Sequence, residues 1–199
     1  MLLQGQTAWL AAAAIAVLLP LMPYLPLWLN AISATAIVWR GWLLWRRVPL
    51  PPRWLVNLFA LGGALGVAAQ FRTLLGKDPG VALLALFLAL KLFETRTVRD
   101  AFAVTLLGFF LILSQFFYTQ SIVTAAMMIV ATLIVTATLN ALQRGATPPR
   151  AALRVAAALL IQAVPFMLIL FLFFPRVSGP LWGLPADAYS GLSGLSDSM

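Results

Sequence analysis

The apolar positions of this chain fall into seven runs: residues 7–22, 24–45, 54–71, 80–93, 101–118, 121–142 and 152–174. Short polar gaps separate them. A helix that crosses a bilayer needs roughly 20 predominantly apolar residues, within a range of about 17–25. The pattern predicts an all-α polytopic membrane helix bundle with about seven apolar segments and five to seven crossings. The run 80–93 is short, apolar at its centre over 81–90, and Lys91 extends it if its side chain snorkels to the interface. Pro20, Pro23 and Pro26 break the chain between the first two runs, because proline lacks the N–H and clashes with the preceding turn. Residues 7–45 therefore form a crossing hairpin, one broken helix or a re-entrant pair, and the pattern leaves all three open.

Composition points the same way. Hydrophobic residues make up 63% of the chain and charged residues 9%, against roughly 45–50% and about 25% in a soluble domain. Water would not tolerate that surface, whereas lipid accepts outward Leu, Phe and Ala without cost. There is no Cys and no His. That excludes disulfides, Cys/His metal sites and Cys–His nucleophilic catalysis within these residues. The five acidic residues are too sparse for a metal cage, so no catalytic residue, metal or cofactor is expected in this segment. Residues 1–8 carry no positive charge, so the first run reads as retained and not as a cleaved signal peptide.

The charges set an expected orientation. Ten of the 13 Lys and Arg residues lie in three gaps: Arg40, Arg46, Arg47 and Arg53; Lys91, Arg96 and Arg99; Arg144, Arg150 and Arg154. Threading the runs alternately puts these ten on one side, with Arg72, Lys77 and Arg176 on the other. The positive-inside rule then places the N-terminus inside and the C-terminal residues outside. The net charge of +8 flanks apolar runs and forms no continuous stripe. The lipid bilayer, and not nucleic acid, is the expected partner. Trp39, Trp42, Trp45 and Trp54 surround the first basic gap as an interfacial belt.

The densest polar stretch runs from Lys91 to Asp100. Lys91 and Glu94 are three apart, Arg96 and Asp100 four apart, and on a helix such spacings set opposite charges side by side. Thr97-x-x-Asp100 resembles a capping box that opens the fifth run. Lys91, Glu94, Arg96, Arg99 and Asp100 form a candidate interfacial charge cluster, either a proton or substrate relay or a turn held by ion pairs. Gly62 and Gly66 carry the Gly-x-x-x-Gly spacing that lets helix backbones approach. They serve packing inside the bundle or a homodimer. Among polar residues within runs, Gln115 and Gln162 lie deepest, while Asn57, Gln70 and Asn140 sit near run ends.

The tail brings a family into view. Phe173-Phe174-Pro175-Arg176-Val177-Ser178-Gly179-Pro180-Leu181-Trp182-Gly183, then Gly191-Leu192-Ser193-Gly194-Leu195-Ser196-Asp197-Ser198-Met199, resembles a join in bacterial membrane-bound transglutaminase-like proteins of the TgpA type. Leu90-Lys91-Leu92-Phe93-Glu94-Thr95-Arg96, with Arg99-Asp100, resembles the central segment of the same family. The resemblance covers essentially the whole chain, as the family's N-terminal multi-helix membrane domain in the bacterial inner membrane. It implies a periplasmic domain beyond Met199 carrying a Cys-His-Asp triad for acyl transfer from glutamine, and none of that triad can be assigned here.

The expected organisation is a membrane domain over residues 1–175, then an extracytoplasmic linker over 176–199 leading to a domain absent from this chain. Arg176 and Trp182 are the candidate domain-junction residues. The expected role is to anchor and position the covalently linked periplasmic domain, with a further membrane partner or a homodimer as open additions. A small transporter, a lipid-handling protein and a membrane assembly module are the alternatives.

Overall fold

The computed structural model describes residues 4–46, 50–145 and 148–173. Among them the chain forms seven α-helices and one 3-10 turn, with no strand. The helices are α1 (Gln4–Leu18), α2 (Leu27–Arg46), α3 (Arg53–Phe71), α4 (Lys77–Glu94), α5 (Val98–Gln115), α6 (Ile122–Arg144) and α7 (Pro149–Phe173). Each apolar run carries one α-helix, and the first run also holds most of the 3-10 turn. The candidate domain-junction residues Arg176 and Trp182, and the expected boundary at 175/176, lie outside the described residues.

The prolines between the first two runs produce a 3-10 turn, Leu19–Tyr24, and then a new helix. Pro20 suits the start of that turn, where its missing N–H would be unsatisfied anyway. Pro26 precedes α2, and its carbonyl accepts from the N–H groups of Leu29 and Asn30. The Asn30 amide donates back to the Met22 carbonyl at 2.8 Å. Residues 7–45 are thus two packed helices with a tight corner.

Among the described residues, five spans are long and apolar enough to cross a membrane: Gly5–Tyr24, Trp54–Phe71, Val98–Gln115, Ile122–Arg144 and Pro149–Phe173. This is the architecture of a multi-pass membrane protein. α4 falls short of that test for a physical reason. It packs against α1, α2, α3 and α5, and Val81, Ala82, Ala85, Leu86, Leu88 and Ala89 are all buried. A helix shielded from lipid by its neighbours can be short, Ala-rich and charged at both ends.

The chain divides into two compact units, Met1–Ile161 and Gln162–Met199. In the first, the main core gathers Leu10, Val17, Leu21, Leu86, Leu111 and Val135. A smaller cluster joins Ala137, Ala152 and Ala156 beneath Trp9 and Leu153. The α1–α6 seam carries polar ties as well. Gln6 donates to the carbonyls of Ala141 and Leu142, and the Thr138 hydroxyl donates to the Trp9 carbonyl. In the second unit the described residues, 162–173, are helical, apolar apart from Gln162, and exposed throughout.

Candidate functional site

The bundle has two chemically different ends. At one of them α2 finishes, α3 begins, α4 finishes and α5 begins. The segment between α4 and α5 is non-helical over Thr95, Arg96 and Thr97, and its polar groups are held from several directions. α4 closes with the Thr95 N–H on the Lys91 carbonyl, which also accepts from the Thr95 hydroxyl. α5 opens with a true capping box. The Asp100 N–H donates to Thr97 Oγ1 at 3.2 Å, and the Thr97 N–H donates to Asp100 Oδ2 at 3.1 Å.

The carboxylates of this segment converge on Lys91. Its amine lies 2.7 Å from Glu94 Oε2 and 3.8 Å from Asp100 Oδ1. Arg96 behaves differently from its spacing. Only its backbone N–H meets Asp100 Oδ2, at 3.2 Å, while its guanidinium donates to the Pro51 carbonyl at 2.8 Å. The four-residue rule fails here because residues 95–97 are not helical, so the Arg96 side chain is free to reach across to the α2–α3 connection. Arg99 is exposed on the first turn of α5.

Arg40 is the member that sequence reasoning used only to set orientation. Its side chain is 6% exposed, and its Nη2 donates to the Thr95 carbonyl at 3.1 Å. A cation at the carboxyl end of α4 also meets the negative end of that helix's dipole. The signal was present in the sequence. Leu29, Ser33, Ala36, Arg40 and Leu43 share one helical stripe, and all five are buried. Arg46, at the end of the same helix, is exposed and stands over the Trp45 ring at 5.2 Å.

The opposite end is aromatic. Tyr24 and Tyr118 stack with centroids 4.6 Å apart and planes at 18°. The Lys77 amine sits over the Tyr118 ring at 4.6 Å and 3.8 Å from Asp78. Burial, then the neighbouring Asp78 carboxylate, push the Tyr118 phenol above its ordinary pKa. Buried Gln115 donates to the Pro20 carbonyl at 3.2 Å. Arg72 ends α3 with φ of 55°.

The glycine pattern resolves differently from its spacing. Gly62 faces open space, Gly66 faces Trp28, and the close approach belongs to Gly63, where an added Cβ would stand 2.6 Å from Leu86 Cδ2. The described residues contain no group of His, Cys, Asp and Glu able to hold a metal.

The model of the TgpA N-terminal domain family matches residues 9–199. The chain is also 38% identical over 193 residues to the protein-glutamine gamma-glutamyltransferase of Pseudomonas aeruginosa. That match covers 96% of this chain and 29% of the relative's length. No solved structure matches.

Proposed function

Because the chain belongs to the TgpA N-terminal domain family, we propose that it is the membrane module that anchors and positions a transglutaminase-like domain lying beyond Met199. The observation that carries this reading is the coverage of the Pseudomonas relative. The chain aligns along nearly all of itself, yet spans only 29% of that protein. The relative is named for acyl transfer from protein-bound glutamine, and the chemistry a thiolate would supply has no Cys or His to run on here. The segment holds the catalytic domain and leaves the reaction to it.

The proposed orientation rests on the positive-inside rule applied to the two ends of the bundle. The end carrying Arg40, Arg46, Lys91, Arg96, Arg99, Arg144, Arg150 and Arg154 faces the cytoplasm. The Tyr24–Tyr118 end faces the periplasm, and the linked domain lies on that side of the bacterial inner membrane. One helix would suffice as a tether, so a multi-helix module with an internally bonded charged end also sets the position of what it holds.

Two measurements test this. Residues 1–199 contain no Cys, so a single Cys introduced at Leu75 or at Arg99 reports sidedness. A membrane-impermeant maleimide applied to intact spheroplasts should label Leu75→Cys and spare Arg99→Cys; the reverse would invert the orientation. The purified segment 1–199 should transfer no amine to a glutamine peptide, while the full-length protein does so. Transfer by the segment alone would end the anchor reading.

A further inference from the structure

Charge accounting at the arginine-rich end leaves a surplus with a defined location. Five cations whose side chains are described lie there between α2 and α5: Arg40, Arg46, Lys91, Arg96 and Arg99. They face two carboxylates, Glu94 and Asp100. Both carboxylates lie within ion-pair distance of Lys91, and Asp100 is further committed to the cap of α5. Among the described residues, no carboxylate lies within ion-pair distance of Arg40.

Arg40 is the informative member, because a buried guanidinium without an anion is costly. One of its nitrogens donates to a carbonyl. The residue is only 6% exposed, and no second bond of its guanidinium is made within the described residues. Arg96, the residue after the one whose carbonyl Arg40 holds, adds a second guanidinium, anchored on the Pro51 carbonyl. A guanidinium offers five donors in a planar fork that matches the oxygens of a phosphate. Beside Arg40, Trp39 is exposed and meets Phe93 edge-on with centroids 6.4 Å apart. An exposed indole marks the level of lipid head groups.

We propose that Arg40 and Arg96 flank a notch that binds the phosphodiester head group of an anionic phospholipid, with Trp39 along its acyl chain. The bound lipid supplies the negative charge that the protein withholds from Arg40, and it locks α2 to the α4–α5 connection. The proposal rests on the bundle being in a membrane and is independent of which way it faces.

The test uses the full-length protein purified in mild detergent, with native mass spectrometry after adding phosphatidylglycerol or phosphatidylcholine. The unaltered protein should retain phosphatidylglycerol in preference to phosphatidylcholine. Arg40→Gln and Arg40→Lys should each weaken that retention about 10-fold, the scale of one charge-assisted forked contact. Arg150→Gln removes the same charge from α7 and should change retention less than about 2-fold. Equal losses from Arg40→Gln and Arg150→Gln would reduce the effect to diffuse charge and overturn the notch. Displacement of the lipid by millimolar inorganic phosphate would overturn the lipid assignment in favour of a free anion. Should the Arg40 variants fail to fold, Arg96→Gln, altered at an exposed side chain, carries the test. Unchanged retention in that variant would refute the proposal.

Discussion

Thr97 and Asp100 cap each other: each donates its backbone N–H to the other's side chain, at 3.1 and 3.2 Å. The Thr97 hydroxyl additionally donates to Asp100 Oδ2 at 2.9 Å. Two of the orphan N–H groups at the start of α5 are thereby satisfied. Thr97→Ala should destabilise the bundle by about 1 kcal/mol, and Thr97→Ser by much less. Asp100→Ala should cost more than Thr97→Ala, because it also removes the carboxylate that lies 3.8 Å from Lys91. Thermal melts in detergent rank the three. Equal melting of all three with the parent protein would show that the cap contributes nothing.

The aromatic end separates two roles of one side chain. Tyr118 stacks on Tyr24 and lies under the Lys77 amine, and both contacts use its ring. Tyr118→Phe should therefore melt close to the parent protein. Tyr118→Leu should lose about 1 kcal/mol from the stack and the cation contact together. A large loss in Tyr118→Phe would instead assign the stabilisation to the hydroxyl beside Asp78.

Arg96 ties two connections whose separation in sequence is 45 positions. Arg96→Ala frees the Pro51 carbonyl, which then bonds to water. Because the site is exposed, the global stability change should stay below about 1 kcal/mol. The visible change should be local: faster amide hydrogen exchange at Leu50 and at Arg53–Val56, with exchange in α6 unaltered. Unchanged exchange around residues 50–56 would mean that the bond does not order that connection.

Helix placement was legible in the sequence, and helix pairing was not. The run 54–71 became Arg53–Phe71, and 121–142 became Ile122–Arg144, because the length of an apolar run is a strong signal in a membrane chain. The capping box was legible for the same local reason. The rest depends on which face of each helix turns inward. In lipid both faces are apolar, so the contrast that reveals an inner face in water is weak. Thus Arg40 read as a simple orientation signal although it is buried, and Asn140, near the end of its run, has an enclosed Oδ1 without a partner. The α1–α6 seam joins positions such as Gln6 and Leu142, 136 apart, and no local pattern announces it.

The glycines of α3 show this limit most sharply and yield the most discriminating variant pair. The four-residue spacing singles out Gly62 and Gly66, but the backbone of α3 comes closest to α4 at Gly63. A Cβ there would lie 2.6 and 2.9 Å from the two methyls of Leu86 and 3.3 Å from its Cγ. Leu86 is 1% exposed, so those methyls have little room to withdraw. Gly63→Val should cost about 1–3 kcal/mol through overpacking, whereas Gly62→Val, placed in open space, should be neutral or slightly stabilising through reduced chain entropy. Truncating the opposing side chain supplies the internal control. Gly63→Val with Leu86→Ala should recover part of the loss, giving a coupling energy of at least about 0.5 kcal/mol in the double-mutant cycle. Additive losses would place the strain of Gly63→Val somewhere other than the α3–α4 contact. A larger loss at Gly62 than at Gly63 would indicate that the exposed face of α3 is covered in the native membrane.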